Sequence, residues 1–291
     1  MDARKVIDSH IHFWDFEAHR SWYPGLGPWA EAVGKPGHFR THMPADHKKA
    51  QDVLDVVGVV HVSAVSDPQT YLAEKAWLEG VLDSFDGATA TIGTINPQLP
   101  ATEIVEHLEQ LAESPRFRGV RVFFDGFDPG SKAAQTVLSW LDERNAVFDV
   151  MASPENMKEW ASFLSDYPNV TKVLEHLGAT HGVQGPQGFS VWAESMRRAA
   201  GETDWLCKFS GLGMHLPDLA PTSVEPWLES AVDAWGWDRL IWGSNNPPDT
   251  FADDEQTQSR TMVDLVEAAA DEAQAQAFFY DNANRVYRVM S

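Results

Sequence analysis

Short runs of apolar, often β-branched residues alternate along the chain with longer stretches in which apolar residues recur every three or four positions. This alternation predicts eight strands, at about 5–13, 56–64, 88–95, 118–124, 146–152, 171–177, 205–211 and 239–244. Helices are predicted between most of them, at 71–82, 101–113, 132–144, 155–167, 188–200 and 224–235, with a last one at 256–270 after strand eight. Ile104, Leu108 and Leu111 show the helical spacing, and Ser153-Pro154 predicts a capped start with a first-turn proline. Eight β/α repeats in 291 residues predict an α/β fold, a (β/α)₈ TIM barrel forming one domain over 1–291. An open doubly wound sheet is the competing arrangement, but it normally carries a Gly-rich turn after its first strand, and none follows here. The segment 14–50 does not alternate and is too long for an ordinary connection, which suggests a functional loop over the barrel mouth.

Composition narrows the partners. A hydrophobic content of 43% with twelve tryptophans supplies a large core, and a formal charge of −21 argues against nucleic acid or anionic membranes as partners. Cys207 is the single cysteine, so no intramolecular disulfide exists and a reducing, cytoplasmic location follows. Cys207 lies in an apolar run and reads as a structural thiol. No signal-peptide core and no 18-residue apolar span is present. Tryptophans on the late helices, read as exposed, leave a homo-oligomer open.

In a barrel the chemistry sits at the C-terminal ends of the strands. There the chain offers His10 and His12, His61 and Ser63, Asn96, Arg121, Glu175 and His176, Lys208 and Ser210, and Ser244, Asn245 and Asn246. His10 and His12 are two apart on a strand, so both imidazoles should face one point. Glu175 should alternate with His176 and point away from the interior. Lys208 lies between Cys207 and Phe209, which leaves its face undetermined. A lone histidine such as His61 reads as a core residue. His19, His38, His42, His47, His107, His181 and His215 read mostly as solvated, with His42 or His215 able to reach the pocket. Trp14, Trp22, Tyr23 and Trp29 in the long loop offer aromatic faces to a ring, or simply pack the loop down.

Six blocks carry a resemblance along the whole chain: Ile7-Asp-Ser-His-Ile-His-Phe-Trp14, Phe117-Arg-Gly-Val-Arg121, Val173-Leu-Glu-His-Leu-Gly178, Cys207-Lys-Phe-Ser-Gly211, Ile241-Trp-Gly-Ser244 and Asn282-Ala-Asn-Arg-Val-Tyr287. In this order the chain resembles the amidohydrolase superfamily, in the branch with sugar-lactone and pyrone-dicarboxylate lactonases. The resemblance implies that His10, His12 and His176 bind one divalent metal such as zinc, or act on a substrate carbonyl without metal; both stay open. It implies that Arg121 holds a carboxylate or the carbonyl oxygen. Apart from the resemblance, the loop aromatics Trp22 and Tyr23 are candidate substrate contacts, and Lys208, with Arg121 and Arg40, a candidate cationic pocket for a carboxylate-bearing lactone. The resemblance also implies a water-activating aspartate after the Gly-Ser of strand eight, where this chain has Asn245. The lysine on strand four and histidine on strand five of the superfamily's binuclear members have no counterpart here.

The expected activity is hydrolysis of a lactone or similar cyclic ester of a small carboxylic or sugar acid, with turnover impaired because an amide accepts no proton. The chain is then an inactivated Asp-to-Asn form, or Asp249, His42 or another mouth residue supplies the base. Non-oxidative decarboxylation and a catalytically inactive ligand-binding role are the alternatives.

Overall fold

Eight parallel strands pair in sequence order, β1 with β2 through to β7 with β8, which makes the sheet of a (β/α)₈ barrel in this computed structural model. Residues 3–180, 183 and 185–290 are described; the expectation for His181 lies outside them. The strands are β1 (Arg4–Ile11), β2 (Leu54–Val62), β3 (Ala88–Gly93), β4 (Phe117–Arg121), β5 (Val147–Val150), β6 (Thr171–Leu174), β7 (Leu206–Phe209) and β8 (Leu240–Trp242). All end earlier than the apolar runs, because the runs continue into the mouth as irregular backbone that carries the site. The ring closes at the mouth, where Asn245 N–H donates to His10 O at 2.7 Å and His12 N–H to Asn246 O at 2.9 Å.

The helices α1 (Leu26–Ala32), α2 (Pro44–Ala50), α3 (Tyr71–Asp83), α4 (Ala101–Ala112), α5 (Lys132–Arg144) and α6 (Met157–Leu164) come first. After them follow the single turn α7 (His176–Ala179), then α8 (Gly185–Glu202), α9 (Pro221–Trp235), α10 (Glu255–Ala269), α11 (Glu272–Gln276) and α12 (Asn282–Tyr287). Ser153-Pro154 does not cap α6. Those residues form a turn in front of it, held by Ser153 N–H donating to Asn156 Oδ1 at 2.8 Å, and the helix starts after Asn156. Trp192, Trp227 and Trp235 on α8 and α9 are buried, which corrects the expectation that the late tryptophans are exposed. They pack helix against helix, so they carry no argument for self-association.

Two apolar layers set which side chains face inward. Ile7, Val60, Val62, Ile92, Val147, Val173 and Ile241 form the barrel floor with Tyr287 of α12. Phe148, Val150, Leu174, Cys207, Phe209, Leu240 and Trp242 face the outer helices. Asn282, from the last of the six blocks, fixes α12 beneath the barrel by donating to Trp237 O and Leu240 O at 2.7 and 2.8 Å. The segment 14–50 folds into α1 and α2 and packs onto loops after β2 and β8. Ser66 and Asp67 N–H donate to Trp22 O, and His38 bonds Thr250 Oγ1 at 2.9 Å. Among the described residues no helix is long and apolar enough to cross a membrane.

Candidate active site

Just above the floor, Asp149 on β5 and Lys208 on β7 form a fully buried ion pair of 2.5 Å, and Tyr287 OH donates to the other Asp149 oxygen at 2.8 Å. Both point inward by strict alternation, since Val147 and Leu206, two residues earlier, belong to the floor. The same alternation from Val173 turns Glu175 inward, contrary to the sequence expectation. Its carboxylate lies 3.2 Å from Arg121 Nη1, 3.5 Å from His10 Nδ1 and 4.0 Å from Lys208 Nζ. Alternation then fails at His176, because the chain leaves the strand: His176, Leu177 and Gly178 are all left-handed, with φ of 49°, 54° and 69°. That turn brings the His176 ring back over the mouth, so neighbouring residues serve one site. Such backbone is costly for non-glycine residues and is found where a side chain must be aimed.

The imidazoles do converge. The ring centre of His10 lies 5.0 Å from that of His12 and 4.5 Å from that of His176. His12 Nδ1–H donates to Val62 O at 2.7 Å, and Trp14 stacks parallel to its ring at 5.9 Å. His176 Nδ1 pairs with Ser210 Oγ at 2.9 Å. Burial, then neighbouring cations, hold all three rings well below the ordinary imidazole range: Lys208 acts on His10 and Arg121 on His12 and His176. They are neutral at physiological pH. Arg121 is clamped by Glu175 and by Ser63 O, which accepts from Nε and Nη2 at 3.1 and 2.6 Å. Behind Ser63, Glu74 accepts its hydroxyl, and burial pushes the Glu74 carboxyl up to about 7.

Asn245 is left-handed as well, with φ of 51°. Its Nδ2 donates to Asp249 Oδ1 at 2.6 Å, and burial raises Asp249 to about 7 against the pull of Asn245 and the Gly213 and Gly211 amides. The amide nitrogen is thereby engaged, which leaves the carbonyl oxygen as the side chain's remaining acceptor. Two glycines allow this crowding. A Cβ on Gly211 would meet the His176 ring at 2.7 Å, and one on Gly243 would meet His10 Cβ at 2.8 Å.

Other placements differ from the sequence reading. Tyr23 packs on Trp14 and Phe16, while Trp22 packs on His19 and Trp77, one layer or more from the imidazoles. His42 and His47 are buried, not solvated. They share Glu255, at 3.0 and 3.1 Å, and His47 also faces Asp8 at 3.5 Å. Asp149 escaped the sequence reading; its position directly above Val147 on an otherwise apolar strand was the available signal. Among the described residues, two groups bring metal-ligating atoms mutually within 4.8 Å: His10, Glu175 and His176, and His42, His47 and Glu255. His12 is not in the first group, which differs from the set His10, His12 and His176 implied by the resemblance.

A parallel barrel with a polar cluster at the C-terminal mouth, built on a His-x-His strand, is the architecture of a hydrolase of the amidohydrolase superfamily. The sequence profile of the amidohydrolase family matches residues 7–289, so the chain belongs to that family. An L-fucono-1,5-lactonase of Burkholderia ambifaria is 26% identical over 257 residues, covering 84% of this chain and 81% of the relative. An uncharacterised protein, y4mH, of Sinorhizobium fredii is 27% identical over 98% of both chains. A crystal structure of a Burkholderia multivorans amidohydrolase with bound zinc superposes with a TM-score of 0.79 at 22% identity, over 98% of this chain and 99% of the other.

Proposed function

We propose that the chain opens a lactone or similar cyclic ester of a small carboxylic or sugar acid. One observation carries the reading: three neutral imidazoles and a clamped Arg121 meet at the mouth of a barrel whose relatives include an L-fucono-1,5-lactonase. Water oxygen bonds to the ring carbonyl carbon, and the ring C–O bond then breaks to give an acid and an alcohol. Arg121 stabilises the developing oxyanion, a role suited to its fixed fork of donors. His12 spends its Nδ1–H on Val62 O, so its Nε2 presents a lone pair to the mouth. Asn245 orients the water through its carbonyl oxygen and takes no proton. Proton acceptance then falls to an imidazole whose basicity burial has reduced, which makes turnover slow; the resulting imidazolium returns that proton to the departing ring oxygen, so the alcohol leaves neutral and the imidazole is regenerated.

One relative's crystal structure holds zinc. Here the grouped donors His10, Glu175 and His176 are hemmed by Arg121 and Lys208, two fixed cations that a dication would have to face. The set is a poor fit for a resident divalent ion, and carbonyl polarisation is assigned to the chain's own donors.

The test is proton release from sugar 1,4- and 1,5-lactones by purified protein, followed with a pH indicator, alongside carbon dioxide detection with aromatic acids. Ring opening above the spontaneous rate supports the lactonase reading. Carbon dioxide without lactone hydrolysis transfers the site to decarboxylation. Tight lactone binding with no turnover, even after Asn245→Asp, leaves a binding protein.

A further inference from the structure

The three faces of Lys208 hold more information than a buried ion pair requires. Its Nζ lies 2.5 Å from Asp149 Oδ2, 3.3 Å from His10 Nδ1 and 4.0 Å from Glu175 Oε1, and its side chain is fully buried. An ammonium only donates. Within hydrogen-bonding distance of an imidazole nitrogen, it requires a lone pair there. The competing partner of His10 Nδ1 is Glu175 Oε1 at 3.5 Å, but that oxygen is buried and makes no hydrogen bond. Nδ1 is therefore the acceptor, and the ring proton sits on Nε2. That Nε2 is itself buried, with no partner, in a ring packed against His12 and His176.

We propose that Lys208 is a positioning residue that locks His10 as its Nε2–H tautomer and stands as a built-in cation where a metal would otherwise be held. A ring that turns an N–H toward its neighbours offers no lone pair to an ion. The ion pairs agree: Asp149 is matched by Lys208 and Glu175 by Arg121, so neither carboxylate is left as a free countercharge for an added dication. His10 and His12 become a complementary pair. His10 presents a donor for a carbonyl oxygen, and His12, with its proton on Nδ1, presents an acceptor. Tyr287 extends the lock to α12, since its hydroxyl holds the other oxygen of Asp149.

This deepens the lactonase reading and rests on it for the substrate, so the test uses no substrate. Full-length protein labelled with ¹⁵N-histidine is stripped of metal with a chelator, and long-range ¹H–¹⁵N spectra report the tautomers. The His10 signals are those lost in His10→Gln. A lone-pair Nδ1 and a protonated Nε2 are expected, unchanged by equimolar zinc. The double variant Lys208→Met/Asp149→Asn removes the ion pair without stranding a charge. It should release the tautomer and bind zinc at His10 on the order of 100-fold more tightly. A protonated Nδ1 in the stripped wild type would overturn the proposal, as would equal zinc shifts of His10 in wild type and double variant. If the double variant fails to fold, the wild-type spectra alone decide. Failure of lactone turnover leaves these spectra untouched, so the two readings fail separately.

Discussion

Placing a carboxylate at position 245 is the sharpest perturbation available. Asn245→Asp keeps the side-chain shape and a left-handed backbone that aspartate also tolerates. It replaces the 2.6 Å amide bond to Asp249 with two carboxylates in contact. Two such groups cannot both ionise and will share one proton. Asp249 already sits at about 7 through burial, and the substitution removes one donor that pulled it down. The upper step of the new pair therefore lies above that value, with the proton kept near Asp249 and the mouth-facing oxygen of residue 245 ionised. A general base is worth about 10²–10⁴ in rate, equivalent to about 3–5 kcal/mol of barrier. At pH 7 kcat/KM for lactone opening should rise by that factor, mostly in kcat. The linkage sign follows from a raised carboxyl pKa: stability is full below the unfolded value near 4 and falls as pH rises through the folded value. The variant should therefore lose more Tm than wild type between pH 6 and 9. Proton-release kinetics and thermal melts read both effects. A correctly folded variant whose rate does not rise, on lactones the wild type binds, would refute the assignment of position 245.

Three further perturbations probe how the site is held. Gly211→Ala places a methyl group 2.7 Å from the His176 ring at a φ of 81°; we expect about 1–3 kcal/mol of lost stability and at least a tenfold fall in kcat, checked by denaturant melts and kinetics. Glu175→Gln removes the carboxylate facing Arg121, His10 and Lys208, which should cost about 3–5 kcal/mol; a loss below 1 kcal/mol would show that the carboxylate does not balance those cations. Burial raises Glu255, but His42 and His47 outweigh it and bring the group down to about 2; its stabilisation, about 3 kcal/mol, should be full above pH 4.5 and lost as pH falls toward 2, while Glu255→Gln flattens that acid limb in pH-dependent melts.

The sequence by itself determined the barrel, because strand and helix periods are local and eight repeats leave few ways to bury their apolar faces. It also determined that His10, His12, Arg121 and His176 lie at strand ends. Only the tertiary structure decided which way the remaining polar groups turn. Asp149, Glu175 and Lys208 face inward because Val147, Val173 and Leu206 lie in the floor, and that parity is a property of the closed ring. His176 breaks the parity through a left-handed turn that no local pattern announces. The Asn245–Asp249 contact, the shared Glu255 of His42 and His47, and the burial of the late tryptophans likewise depend on where loops and helices dock. Periodicity records how each residue relates to its neighbours in sequence; charge compensation and tautomer depend on neighbours brought together only by closure of the barrel.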